Sequence, residues 1–310
     1  MSRTAILFPG QGAQAVGMGK DLAEAFPECR AIFDRANEVL AQDLAKLCFE
    51  GPIEELTKSS NAQPAIFVVS LACLAALKKL KPGLTFAAAA GLSSGEWTAL
   101  HVAGAVTFED TLKVLQARGR FMQQACEENP GTMLSVIGLG EDGLRKVCAE
   151  AGIEMANLNS PEQTVLSGKR EGIELAEKLV KAAGAKKGIR LNVAGAFHSS
   201  LMAPAARRLE EFLAGVRFQA PTMPVVSNVT GAPHTAPDSI RKLMVQQVTG
   251  SVHWVSCVRW MQGQGVNRYV ECGPGKVLTG LVKRIDNAAF LNNILDRSSL
   301  EAAVAALGNP

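Results

Sequence analysis

The sequence predicts an α/β fold: a mainly parallel sheet with helices on both faces, plus a small inserted ferredoxin-like βαββαβ unit. Three observations carry this. Short apolar runs alternate with longer helical stretches through most of the chain, the pattern of parallel strands joined by helical crossovers. Between residues 132 and 193 the rhythm changes, with two strand-like runs in direct succession. A serine stands between two glycines in "AAGLSSGEWT" (88–97), where an apolar run gives way to a helical pattern.

In chain order, residues 4–8 (TAILF) read as a buried strand ended by Pro9 and Gly10. A long helical region follows from about 21 to 40. Residues 62–80 form a very apolar helix, whose apolar run (64–77) is too short to span a bilayer and ends in KKLK. Residues 84–90 read as a strand leading into the serine turn. A helix follows Gly95 and another covers 108–127. The insert reads as strand 132–138, helix 141–151, strands 153–158 and 163–167, helix 170–184 and strand 188–193. This divides the chain into a core of 1–127 and 195–310 and an inserted domain of 128–194. The core resumes with helix 200–214, strand 224–228, helices 237–249 and 254–264, strand 267–271 and a helix from about Lys276.

Composition narrows the function classes. A chain of 310 residues with 47% hydrophobic and 20% charged residues has room for a large core and a smaller domain. A net charge of +3, with both signs interspersed, argues against a nucleic-acid partner and suits a modest basic patch facing an acidic one. The seven cysteines are odd in number and include no Cys-x-x-Cys pair, which argues against disulfides and zinc and for a reducing cytoplasm. The start, MSRTAILFPGQG, lacks the apolar length and cleavage pattern of a signal peptide. The expectation is a cytoplasmic protein, monomeric by default, with no metal and no membrane partner.

Gly91-Leu92-Ser93-Ser94-Gly95 matches G-x-S-x-G. A turn this tight strains the serine backbone, and side chains two residues either side would collide. The serine oxygen would stand over a helix N-terminus, with the Ser94 N–H as a natural donor to a developing anion. A plain Gly/Ser loop is the alternative. A nucleophilic serine needs a base, and the chain has four histidines: His101, His198, His234 and His253. His101 lies in the helix after the turn and reads as packing. His234 reads as an exposed turn residue, and His253, beside Trp254, as a partly buried structural one. His198, in NVAGAFHSSLMAP, sits where the insert meets the next helix, the place where clefts form.

Arg118 has Val114, Leu115, Phe121 and Met122 as its helical neighbours, so it faces inward. A buried guanidinium needs compensation. It either pairs with a protein carboxylate or waits at a cleft for an anionic ligand; Arg120 points elsewhere, into solvent. Gly10, Gly12 and Ala15 fit a dinucleotide fingerprint, but the region where a second strand and its acid should follow is helical. The better reading is a loop whose N–H groups approach a ligand, with Gln11 near the serine turn.

The chain resembles the malonyl-CoA:acyl-carrier-protein transacylases of bacterial type II fatty acid synthesis along essentially its whole length. The resemblance rests on FPGQGAQ at the start, QPAI (63–66), GLSSGEW at the turn, ARGRFMQQA (117–125), NLNSPEQTVLSG (157–168), GAFHSSLMAPAA (195–206) and ECGPGKVLTGLVKRI (271–285). It implies a hydrolase-like α/β core with a ferredoxin-like insert. It implies a lipid-metabolism acyltransferase that moves malonyl from malonyl-CoA to acyl carrier protein through a malonyl-serine, with no cofactor beyond the coenzyme A thioester. By the same resemblance Ser93 is the acylated nucleophile and His198 its base. Arg118 grips the malonyl carboxylate, and the N–H groups of Gln11 and Ser94 hold the oxyanion. The backbone carbonyl of Gln247 orients the histidine. Leu92 and Phe197 line the acyl pocket.

Two positions depart from the family pattern. Leu92 stands where histidine is common, which removes a polar neighbour and places more of the carboxylate binding on Arg118. Ser94 stands where leucine is usual and is expected to act through its backbone N–H. A phenylalanine at 197 goes with malonyl over methylmalonyl in related enzymes, a methyl being worth only ~1–3 kcal/mol. Lys186, Lys187, Arg190, Lys276, Lys283 and Arg284 could receive an acidic carrier or be solvated charges. A serine thioesterase or hydrolase, and a non-catalytic carrier-binding relative, are the competing readings.

Overall fold

The first apolar run folds as β1 (Arg3–Phe8), whose residues alternate between two cores: Ile6 and Phe8 join one, Ala5 and Leu7 the other. That is the signature of a strand covered on both faces. In this computed structural model residues 3–308 are described. Helices α1 (Lys20–Ala25), α2 (Pro27–Leu40), α3 (Leu44–Glu50), α4 (Ile53–Thr57) and α5 (Ser59–Leu80) follow. Then come β2 (Ala88–Gly91), α6 (Ser94–Val102) and α7 (Phe108–Glu128). The expected single helix over 21–40 is two helices, because Pro27 lacks an N–H and starts a new one. Helix α5 is long and apolar enough by length and composition to cross a membrane, yet it is almost wholly buried against α2 and α7 and is a core helix.

Between α7 and the rest of the core lie β3 (Thr132–Ile137), α8 (Glu141–Ala151), β4 (Glu154–Ser160), β5 (Gln163–Gly168), α9 (Arg170–Ala182) and β6 (Lys187–Arg190). Their strands form an antiparallel sheet in the order β4-β5-β3-β6, the ferredoxin-like arrangement. One face packs on α8 and α9 through Leu134, Val136, Leu166, Leu144 and Ile173. The other face, with Met133 and Val165, meets Leu191, Val193 and Phe197.

The chain continues with α10 (Ala203–Leu213), β7 (Val225–Val226), α11 (Pro237–Thr249), α12 (Trp254–Gly263), β8 (Val266–Cys272), α13 (Val277–Ile285), β9 (Phe290–Ile294) and α14 (Arg297–Ala306). The larger sheet is wholly parallel, ordered β7-β2-β1-β8-β9. Helices α5 and α7 pack on one side, α12 and α13 on the other. The α/β class with a ferredoxin-like insert therefore stands. Strand β2 is shorter than the expected 84–90, since only Ala88–Gly91 finds a ladder on β1. Strand β6 likewise ends at Arg190, where its pairing with β3 ends. Sequence reading did not identify α3, α4, β9 or α14; β9, with two asparagines in five residues on the sheet edge, carries no clear alternation.

Phe8 and Gly91 are register partners, so β1 and β2 end side by side. The loop after β1 and the turn after β2 therefore meet at the carboxyl edge of the sheet, where open α/β sheets place their ligands.

Candidate active site

The two glycines around Ser93 are required by space. A Cβ on Gly91 would lie 2.0 Å from the Gly95 carbonyl carbon, and one on Gly95 would lie 2.2 Å from the Phe8 oxygen. Ser93 is held at φ 54°, ψ −112°, a strained conformation for a residue with a Cβ. Three bonds clamp it there. Its N–H donates to Asn228 Oδ1 at 2.7 Å, Asn228 Nδ2 donates to the Gly91 oxygen at 2.8 Å, and Gln247 Nε2 donates to the Ser93 oxygen at 3.0 Å.

His198 comes from the segment before α10 and is also at positive φ, 56°. Its Nε2 is 2.8 Å from Ser93 Oγ. Its Nδ1 lies 2.8 Å from the Gln247 carbonyl oxygen and 3.2 Å from that of Gly250. Carbonyls only accept, so Nδ1 carries the proton and Nε2 is free to take one from serine. Burial, and then the Arg118 charge, push the His198 pKa down to about 4.

Arg118 is 1% exposed. Its Nη1 donates to Gln63 Oε1 at 2.7 Å, and its Nη2 donates to Gln247 Oε1 at 3.0 Å and to Ser93 Oγ at 3.2 Å. The Nε–H has no partner, and no carboxylate lies within 4 Å among the described residues. Of the two readings of this arginine, the described residues offer no direct ion pair, only two amide oxygens, the Ser93 hydroxyl and an unpartnered Nε–H. Its charge is balanced at one remove: Gln247 Nε2 donates to Glu96 Oε2 at 2.5 Å, and the buried His234 Nε2 sits 2.6 Å from Glu96 Oε1. Burial pulls the Arg118 pKa down to about 10, with Glu96 working in the opposite direction.

Gln11 is tethered through its side chain, which donates to Ser59 Oγ at 2.9 Å and accepts from Gln63 Nε2 at 3.1 Å. Its backbone N–H donates to Ser94 Oγ at 3.2 Å. Gln11, Leu92, Ser93, Arg118, Phe197 and His198 share one cavity of about 320 Å³ between the parallel sheet and the insert. Much of its wall is apolar, including Met122, Met133, Val165 and Val193. Ser94 and Gln247 sit behind that wall and act on it through their bonds.

The structure thus brings the serine, histidine, arginine and Gln11 loop together. It corrects one histidine: His234 is buried on Glu96, not in an exposed turn, because the turn around it folds back onto β7. His101 packs between Phe67 and Phe108 as expected. Sequence reading assigned no role to Gln63, Glu96, Asn228, His234 or Gly250. Glu96 could have been found by the logic applied to Arg118, since it is a lone acid in the apolar helix GEWTALHVAG. No group of three His, Cys, Asp or Glu residues that could hold a metal occurs among the described residues. The cysteines are all free and buried; burial raises the Cys29, Cys126 and Cys148 thiols to about 11 and Cys48 to about 12, far from nucleophilic range.

Residues 6–284 match the acyl transferase domain family. The chain is 40% identical over 312 residues to the malonyl CoA-acyl carrier protein transacylase of Bacillus subtilis, covering 99% of this chain and 98% of the relative. It superposes on the crystal structure of an acyl carrier protein S-malonyltransferase from Vibrio cholerae with a TM-score of 0.94 and 40% identity, over 97% of this chain and 100% of that one. A solved complex of a type II polyketide-synthase acyl carrier protein with its malonyl-transacylase matches with a TM-score of 0.94 and 39% identity, over 98% and 100%. A glycine-flanked strained serine, a carbonyl-held histidine and whole-length likeness converge: this chain belongs to the acyl transferase domain family.

Proposed function

We propose that the chain transfers malonyl from malonyl-CoA to the pantetheine thiol of acyl carrier protein, through a malonyl ester on Ser93, and so supplies fatty acid synthesis. The observation that carries the malonyl assignment is Arg118: a buried guanidinium 3.2 Å from the nucleophile, with its Nε–H unpartnered and no direct counter-carboxylate among the described residues. A short acyl group ending in a carboxylate completes that arrangement.

In this reading His198 Nε2 takes the Ser93 proton as Oγ attacks the thioester carbonyl. The resulting oxyanion is held by the N–H groups of Gln11 and Ser94, each such donor typically worth roughly 2.7–4 kcal/mol of barrier. Collapse breaks the C–S bond, and His198 returns its proton to the coenzyme A thiolate. The carrier thiol then gives its proton to His198 and attacks the ester; collapse restores Ser93 with that proton. Gln247 serves twice, holding the imidazole by its carbonyl and the guanidinium by its amide. Leu92 and Phe197 shape the acyl pocket.

The strand pattern supports 128–194 as a subdomain set into a core of 1–127 and 195–310. The carrier would enter past the basic groups at the cavity rim. Arg284 is the best placed, since its Nη1 donates to Gln163, which lines the cavity. Lys186 and Arg190 already pair with Glu162 and Glu177. The reading needs no cofactor beyond the thioester and places a monomer in the cytoplasm.

Incubation with malonyl-CoA, with and without holo acyl carrier protein, tests this. Malonyl-carrier should form, with free malonate minor when the carrier is omitted. Rapid malonate release independent of the carrier would make the protein a hydrolase.

The base predicts a pH dependence. Only neutral His198 accepts the proton, and its pKa is held down to about 4. Transfer kcat/KM should stay level from pH 7 to about pH 5.5 and fall only as pH approaches about 4. An acid limb centred near 6.5 would contradict the burial of this base. Stability carries the same sign: between about 6.5 and 4 the unfolded chain binds a proton that the folded one refuses, so stability drops as pH falls through that window.

A further inference from the structure

Ser94 opens α6, is 3% exposed, and faces the loop after β1. Its hydroxyl oxygen accepts the Gln11 N–H, one of the two donors proposed for the oxyanion, while its own backbone supplies the other. Among the described residues neither the Ser94 hydroxyl nor the Ser94 N–H donates to any acceptor. A buried hydroxyl that accepts and does not donate has a proton to spare. That hydroxyl is one hydrogen bond from the Gln11 N–H and belongs to the residue that carries the Ser94 N–H, the two donors proposed for the oxyanion.

We propose that the Ser94 side chain is a third donor to the oxyanion. At rest its oxygen satisfies the Gln11 N–H, which would otherwise be an orphan. When the thioester oxygen gains charge, it becomes the stronger acceptor for the Gln11 N–H, and the hydroxyl rotates about Cβ–Oγ to point its proton at the same oxygen. No bond to Ser94 forms or breaks, and the proton stays on it throughout. An alkyl side chain at 94 would leave the Gln11 N–H unpaired at rest and remove one donor from the transition state. This rests on the reading that Ser93 carries the acyl group.

The test compares wild type with Ser94→Ala, which deletes one oxygen and leaves the fold around it filled. Single-turnover acylation by malonyl-CoA should slow about tenfold or more in Ser94→Ala, while the dissociation constant for malonyl-CoA, measured in a Ser93→Ala background, stays within about twofold. A carboxylate-bearing trifluoromethyl ketone, which adds to Ser93 and places an oxyanion in the hole, should lose affinity by the same factor as the rate. Acylation by Ser94→Ala at or above the wild-type rate would overturn the proposal, leaving the hydroxyl as a plug on Gln11. So would equal losses in malonyl-CoA binding and in rate, the mark of a merely structural residue. Failure of wild type to acylate Ser93 would be visible separately, as failure of the transfer reading itself.

Discussion

Replacing Arg118 with alanine should lower kcat/KM for malonyl-CoA by about 100-fold, while acetyl-CoA transfer changes less than tenfold or improves. Charge-assisted bonds are worth roughly 1.5–3 kcal/mol, and each 1.4 kcal/mol is about tenfold in rate. Arg118 is buried, where such bonds are strongest, so the upper end of that range applies. Acetyl offers no carboxylate and cannot use the guanidinium. The substitution also strips Gln63 Oε1 and Gln247 Oε1 of a donor, so a stability loss on the order of 1–3 kcal/mol should accompany it. That loss affects both substrates alike, which makes the malonyl-to-acetyl ratio the informative quantity. Equal losses for both acyl groups would remove the clamp role. A second consequence has a defined sign. Arg118 helps hold the His198 pKa down, so the acid limb of acetyl transfer should move to higher pH in the variant.

His198→Ala should slow acylation by on the order of 10³- to 10⁴-fold, with malonyl-CoA binding nearly unchanged. The imidazole touches Ser93 Oγ and handles the proton in both half-reactions, so acylation and transfer to the carrier should fall together. Rapid-quench measurement of each half-reaction checks this. A loss confined to one half-reaction would mean that another group serves as base in the other. Among the described residues no carboxylate orients the ring; backbone oxygens of Gln247 and Gly250 do so. Substituting Glu96 should therefore act more weakly than substituting His198, since it reaches the site only through the Gln247 amide and Asn228.

What the sequence disclosed follows the range of the forces involved. The serine turn was legible because part of its constraint is local: a side chain on Gly91 would strike the Gly95 backbone four residues on, while Gly95 itself is hemmed in by the Phe8 carbonyl of β1. Arg118 was legible because a charge in an apolar helical stripe demands a partner wherever the helix packs. The insert was legible because two strands in succession break a parallel rhythm. His198 could be singled out only by its junction loop and by resemblance. Nothing local marks the carbonyl that holds it, some 50 positions downstream. Asn228 and Glu96 escaped because their bonds to the turn and to Gln247 join segments more than 130 positions apart. His234 was misplaced for the same reason, since GAPHTAP has the composition of an exposed turn and only the buried Glu96 draws it inward. The end of the chain was missed because an asparagine-rich edge strand has no period to read.

The central claim is that Ser93 itself takes up the malonyl group. The direct measurement is peptide mapping by mass spectrometry after brief exposure of the intact protein to malonyl-CoA, quenched in acid. The account predicts a malonyl ester on the peptide containing Ser93, absent in Ser93→Ala and discharged when holo acyl carrier protein is added before the quench. An unmodified Ser93 peptide, or a malonyl group on another residue that the carrier removes at the same rate, would contradict it.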